Sequence, residues 1–294
     1  MVRIRKILCP HDFFPPSETA LAYAVSLART FYARIRIVHV VPPATSYFPQ
    51  DKGEVVKSAY EESQLRLASI ATAVKAAGVH ASAEVRLGEI DREILNAADE
   101  YKADLMVAAT HGRRGFQHWL IGSTCERLLK RAHVPILTIG PVKRPRDASN
   151  FKRILIGIDF SDASEEVASW GFSIAKKFQS DVTLLHVADL AVGDIPKPYK
   201  SSLLEGIRLE LEQFVPSDAE ACSKVTRRVE FGMPFQHILK LAQSGKADLI
   251  VIGTHGKGML DRALLGTSAE RIIRGAPCAT LSVPPKASRK EQIA

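Results

Sequence analysis

Cysteine is scarce in this chain and long apolar runs are missing. The four cysteines (Cys9, Cys125, Cys222 and Cys278) stand far apart in 294 residues, with no Cys-x-x-Cys pair. That spacing excludes a disulfide framework and a zinc knuckle, and reads as small buried thiols of a reducing compartment. No apolar run approaches the roughly 18–20 residues that cross a bilayer. The basic start, Met1 to Lys6, is followed by an apolar stretch that reaches only Cys9 before Pro10, His11 and Asp12. This is too short for a signal-peptide core. A cytoplasmic location without a membrane partner is expected. The chain also lacks any G-x-x-x-x-G-K-[ST] loop, which excludes a Walker-type phosphate site.

Hydrophobic content of 46% with 24% charged residues describes a folded globular protein. The formal charge of +8 is spread along the chain, and its densest group, Lys143, Arg144 and Arg146, lies beside Pro141 and Pro145. This pattern reads as a solvated basic linker, and nucleic acid is not an expected partner.

The sequence is repeated. ILCPHDFFPPS from Ile7 aligns with ILIGIDFSDAS from Ile154, so that Asp12, Phe13, His39 and Val40 fall on Asp159, Phe160, His186 and Val187. The block THGRRGFQHWLIGST from Thr110 aligns with THGKGMLDRALLGTS from Thr254. Two blocks in the same order mark a duplicated domain. The expected division is a first domain over 1–141, a linker over 142–151, a second domain over 152–285 and a tail over 286–294.

Each copy alternates short β-rich runs with amphipathic helical stretches. The predicted strands are Lys6–Pro10, Arg34–Val40, Ala81–Arg86, Leu105–Ala109 and Val134–Ile139. In the second copy they are Arg153–Ile158, Asp181–Val187, Val225–Glu230, Leu249–Ile252 and Ala279–Val283. Ser17 and Asp162 are the expected caps of the helices after the first strands. The pattern predicts an α/β chain of two tandem doubly wound, Rossmann-like domains. Each has a five-stranded parallel sheet with helices on both faces, because parallel strands need crossover connections. Ligands of such sheets bind at the carboxyl ends of the strands, where the strand order reverses.

The shared polar and glycine residues cluster there. In the second copy, Gly253-Thr254-His255-Gly256 follows the fourth strand, and nine residues later Gly266-Thr267-Ser268 opens a helical stretch. Backbone N–H groups can hold phosphate oxygens only where no side chain obstructs them, and a helix N-terminus adds free N–H groups and partial positive charge. Asp159, after the first strand, can accept hydrogen bonds from ribose hydroxyls. The alternative is that it caps the next helix. The first copy reads Ala109-Thr110-His111-Gly112 and then Gly122-Ser123-Thr124, so a methyl stands where the second copy has Gly253. Arg113 and Arg114 follow it.

The combination G-x-x-G-x9-G-T with IGIDFS and LLHV resembles the universal stress protein domain, in a tandem member, over nearly all of both halves. The resemblance to its ATP-binding branch implies an adenine nucleotide, ATP with Mg2+, as ligand. It implies that the first-strand Asp contacts ribose, that the residue after the second-strand His contacts adenine through its backbone, and that the glycine loop holds the phosphates. In the second domain the implied set is Gly157, Asp159, Val187, Gly253, Gly256, Gly266, Thr267 and Ser268. In the first it is Pro10, Asp12, Val40, Ala109, Gly112, Gly122, Ser123 and Thr124. The expected function is a nucleotide-dependent regulatory switch in stress response with at most slow ATP hydrolysis, since no nucleophile–base pair is evident.

The alternative is a stress scaffold with empty pockets that presents surfaces to protein partners. Family dimers pair through the last strand, so the resemblance implies an intramolecular pseudo-dimer, with a homodimer as a further option. The histidines His39, His186, His111 and His255 have no Cys or carboxylate at ligand spacing, and no metal site is expected. Gly88 and Gly232 are expected in turns, and His118, Trp119 and Trp170 in packing.

Overall fold

The computed structural model describes residues 2–43, 52–111, 121–140, 150–188, 197–256 and 265–285. Gly112, Arg113, Arg114, His118, Trp119, the basic group at 143–146 and the tail at 286–294 lie outside them. The chain contacts form two compact units that divide between Ile139 and Gly140.

In the first unit, strands β1 (Lys6–Pro10), β2 (Arg34–Val41), β3 (Ala81–Leu87), β4 (Leu105–Ala109) and β5 (Ile136–Ile139) alternate with four helices. These are α1 (Pro15–Phe31), α2 (Lys52–Ala76), α3 (Ile90–Tyr101) and α4 (Ser123–Arg131). All pairings are parallel, in the order β3-β2-β1-β4-β5. Two helices step one way from β1 and two return the other way. Right-handed crossovers therefore set α1 and α2 on one face and α3 and α4 on the other. Consecutive residues of the central strands are buried in consequence: Ile7, Leu8 and Cys9 in β1, and Leu105, Met106 and Val107 in β4. Beyond the last residues of β1 and β4 the chain diverges, and a crevice opens at the carboxyl edge.

The second unit repeats this with β6 (Arg153–Gly157), β7 (Asp181–Ala188), β8 (Lys224–Phe231), β9 (Leu249–Gly253) and β10 (Ala279–Val283). Its helices are α5 (Ser164–Phe178), α6 (Lys197–Glu212), α7 (Pro234–Leu241) and α8 (Thr267–Gly275). The order is β8-β7-β6-β9-β10, again parallel. Every predicted strand forms, with ends moved by a residue or two. β5 starts at Ile136 rather than Val134, where Pro135 has no N–H to give to a ladder.

The caps differ from expectation. Phe14, extended at φ −104° and ψ 156°, is the N-cap of α1, and Pro15 and Pro16 fill the first helical positions. Ser17 lies in the first turn, where its hydroxyl donates to the Phe14 carbonyl and accepts from the Asp12 N–H. The residue before α5 is Ala163, not Asp162. No side chain caps α5, and Asp159 instead braces the turn before it. Its Oδ1 accepts from Ser161 N–H, Ser161 Oγ and Ser164 Oγ. Gly88 and Gly232 take φ of 149° and 122°, a region that favours glycine, in the turns before α3 and α7. Trp170 is buried in α5.

Candidate functional site

At the carboxyl edge of the first unit lies a pocket of about 1210 Å³. Pro10, Asp12, Val40, Ala109, Gly122, Ser123 and Thr124 all line it. The fold places each for a local reason. Pro10 ends β1 and Asp12 begins the loop to α1, where its Oδ1 accepts the Phe14 N–H at 3.1 Å. Gly122 is the N-cap of α4, extended at φ −62° and ψ 142°, with no side-chain cap. The first N–H groups of α4 thus have no acceptor within the helix, and Ser123 and Thr124 supply hydroxyls at that end.

Val40 is set by strand parity. The Val38 carbonyl accepts from His11 N–H on the β1 side, while the Val41 carbonyl accepts from Gly88 N–H on the β3 side. Alternate residues of a parallel strand bond to opposite neighbours. The Val40 peptide groups therefore face the β1 side, past the end of β1. The second unit has the same arrangement. The Leu185 carbonyl accepts from Ile158 N–H and the Ala188 carbonyl from Gly232 N–H, so Val187 faces the β6 side beyond Gly157.

The glycines of the second unit show what the loop needs. None of Gly157, Gly253, Gly256 or Gly266 has positive φ, so close approach is what requires them. A Cβ on Gly266 would stand 3.2 Å from the Thr254 carbonyl and 3.8 Å from the Gly256 nitrogen. A Cβ on Gly256 would meet Asp159 Oδ2 at 3.5 Å, which puts the carboxylate beside the loop. A Cβ on Gly253 instead meets the His255 carbonyl at 3.3 Å and the side chains of Val167 in α5 and Ala163 just before it at 3.6 and 3.9 Å. By this parallel, the methyl that Ala109 carries at the equivalent position meets both the loop backbone and the start of the first helix of its domain. A side chain at Gly157 would meet Ile252 and Ile238. Gly122 repeats Gly266: its N–H donates to Thr110 O at 2.8 Å, as Gly266 N–H does to Thr254 O at 2.9 Å.

The histidines serve hydrogen bonds. His39 Nδ1 lies 2.7 Å from the His11 carbonyl, and His186 Nδ1 lies 2.8 Å from that of Ile158. His111 and His255 pair with the hydroxyls of Thr110 and Thr254. Burial pushes His39 below its ordinary value, against the raising effect of its bond to the His11 carbonyl. Burial likewise holds the Cys125 thiol in the pocket wall up to about 12. No group of three or more metal-ligating side chains occurs among the described residues.

Several lining residues were not legible in the sequence. Arg66 of α2 stands over the Phe13 ring at 4.2 Å, and Ile90 and Ile94 of α3 form an apolar wall with Leu128. Their helices reach the crevice only through tertiary packing, and no spacing signal marks them. Phe13 and Phe160 adopt φ of 64° and 56°, uncommon for bulky residues and a mark of strain held by surroundings. Each ring lies 4.4 Å from the neighbouring histidine ring.

The universal stress protein family model matches residues 3–140 and again 150–284. The chain belongs to the universal stress protein family. A universal stress protein of Mycolicibacterium smegmatis is 28% identical over 293 residues, covering 95% of this chain and 97% of that relative. Universal stress protein MJ0531 of Methanocaldococcus jannaschii is 35% identical over 153 residues, 48% of this chain and 85% of that relative. The crystal structure of a universal stress protein from Archaeoglobus fulgidus shares the fold, with a TM-score of 0.73 at 22% identity over 97% of both chains. This universal stress protein is therefore a tandem one, and no helix among its described residues is long and apolar enough to cross a membrane.

Proposed function

We propose that this universal stress protein binds adenine nucleotide at the carboxyl edge of each domain and acts as a nucleotide-dependent regulatory switch. The observation that carries the reading is the first-domain pocket. It gathers a strand-end carboxylate, a backbone edge free of a strand neighbour and an uncapped helix N-terminus, the three groups a nucleotide needs for ribose, base and phosphates. In the second domain the same parts recur around Asp159, Val187, Gly256 and Gly266, with a cradle that a Cβ would fill. Mg2+ would arrive with the phosphates, since this ion is usually held by one or two carboxylates together with substrate oxygens. Asp12 and Asp159 are the strand-end carboxylates of the two sites, and Glu62 of α2 also lines the first. Ligand occupancy shifts the population of whichever arrangement binds it better. The residues offer electrostatic and hydrogen-bonding capture, and any ATP hydrolysis is slow.

Calorimetric titration of ATP into the full chain tests this directly. Gly122→Asp and Gly266→Asp each put a carboxylate at a helix N-terminus in the phosphate cradle. Each is expected to remove one of two sites, and the double variant both. ATP binding that survives both substitutions unchanged would reject the assignment.

A further inference from the structure

The two domains share one frame around their first strands and differ in one wall. In each, a ring of the second strand's histidine bonds the carbonyl of the residue before the aspartate, and a phenylalanine at positive φ packs on that histidine at 4.4 Å. Inside this duplicated frame, His11 of the first domain stands where the second has Ile158, each 3% exposed. A polar ring thus replaces an aliphatic side chain while the histidine–phenylalanine frame beside it is preserved.

The His11 proton can be placed. Nδ1 lies 3.1 Å from the Phe13 N–H and accepts it, so the neutral ring carries its hydrogen on Nε2. Burial holds the group down to about 4, with His39 and Arg66 acting in the same direction against Asp12. The ring is therefore neutral near pH 7. Nε2–H is closed to solvent and has no acceptor among the described residues. An isolated buried N–H is unfavourable, and isoleucine in the second domain avoids it. His11 lines the pocket that holds Asp12 and the α4 N-terminus. The flanking wall differs in the same sense. Arg66 covers Phe13 in the first domain, whereas Phe214 lies 5.8 Å from Phe160 in the second.

We propose that His11 is a specificity-determining residue of the first domain, whose Nε2–H donates to an acceptor atom of the nucleotide bound there. The proposal rests on the nucleotide reading above. Nε2 is sealed in the unliganded chain, so a neighbour gives way as the acceptor arrives. Arg66, which stands over the adjoining Phe13 ring with its side chain 51% exposed, is the neighbour freest to move. The first pocket then reads a lone pair that the second, walled by Ile158 and Phe214, cannot read. The tandem chain carries two sites of different selectivity rather than two copies of one.

The test uses the full chain with its second site silenced by Gly266→Asp, titrated with ATP. His11→Ile is expected to weaken binding about tenfold, the usual effect of one buried hydrogen bond, and His11→Gln, which keeps a donor, to recover part of it. On the unsubstituted chain, nitrogen-15 spectra of the histidine rings give an independent reading. ATP is expected to shift the protonated Nε2 of His11 and leave its Nδ1 unprotonated. Affinity within twofold of the parent in His11→Ile, or an Nε2 resonance indifferent to saturating ATP, overturns the proposal while leaving the nucleotide reading intact. An unsubstituted chain that takes up no ATP overturns both.

Discussion

The difference between Ala109 and Gly253 is open to a decisive exchange. The sequence alone leaves open whether the methyl of Ala109 crowds a phosphate or merely shifts it, and the contacts around the equivalent Gly253 argue for the milder effect. At Gly253 an added Cβ meets a carbonyl at 3.3 Å and two aliphatic side chains at 3.6 and 3.9 Å, and φ is not positive. Gly253→Ala thus asks the His255 carbonyl to give by a few tenths of an ångström, while the two aliphatic contacts are ordinary ones. The expected cost in stability is below about 1 kcal/mol, offset in part by the entropy that glycine loses in a strand. ATP affinity should stay within about twofold, and the converse Ala109→Gly should leave the stoichiometry unchanged.

Gly266→Ala is the contrasting case. Its Cβ would stand 3.2 Å from the Thr254 carbonyl and 3.8 Å from the Gly256 nitrogen, the backbone donor that the proposed site offers to phosphates. Loss of one hydrogen bond to a charged acceptor costs about 1.5–3 kcal/mol, which is roughly ten- to a hundredfold in affinity. Calorimetric ATP titration of the three variants, with urea unfolding as a control, separates the cases. A second binding event gained by Ala109→Gly, or a large loss in Gly253→Ala with stability intact, would refute the geometric reasoning.

Three further outcomes are expected. His11 and His39 both titrate below their ordinary value because they are buried. The unfolded chain therefore takes up protons below about pH 6.5 that the folded chain refuses, and stability should fall from there toward about pH 4. Urea midpoints across that range should decline less steeply in His11→Ile, and an identical slope would count against burial as the cause. In α5, a Cβ on Gly171 would collide with Ile156 Cδ1 and lie 2.7 Å from its Cγ1, whereas Gly206 of α6 has open space around it. Gly171→Ala should therefore destabilise by about 1–2 kcal/mol despite better helix propensity, and Gly206→Ala should stabilise by about 0.5–1 kcal/mol; thermal unfolding that shows the same sign for both would contradict this. Asp91, fully buried at the start of α3, holds Arg127 at 2.8 Å and Arg131 at 3.1 Å on α4. With each guanidinium about half in water, Asp91→Ala should cost about 2 kcal/mol and weaken ATP binding in the first domain by loosening the phosphate helix. Unchanged unfolding and unchanged affinity would deny α3 that role.

Much of this protein is written locally. Apolar runs of four to eight residues between helical stretches specify parallel strands, because only crossover helices can join such strands and cover both faces. The repeat made the two domains legible at once. Asp12, Gly122 and their partners Asp159 and Gly266 were legible too, since strand ends and helix starts carry their own residue types. Other features depend on which elements meet in space. Arg66 and Ile94 reach the pocket because crossover handedness brings α2 and α3 over the same carboxyl edge. What the Ala109 methyl meets depends on the strand pleat and on the loop and helix packed against it. The Asp91–Arg127 pair of the first domain becomes Arg271 over the Phe235 ring at 4.7 Å in the second. The sequence by itself determined the fold, the duplication and the chemical types at the strand ends. Only the tertiary structure decided which side chains face one another across the crevice, because burial and proximity are properties of packed elements and not of spacing along a chain.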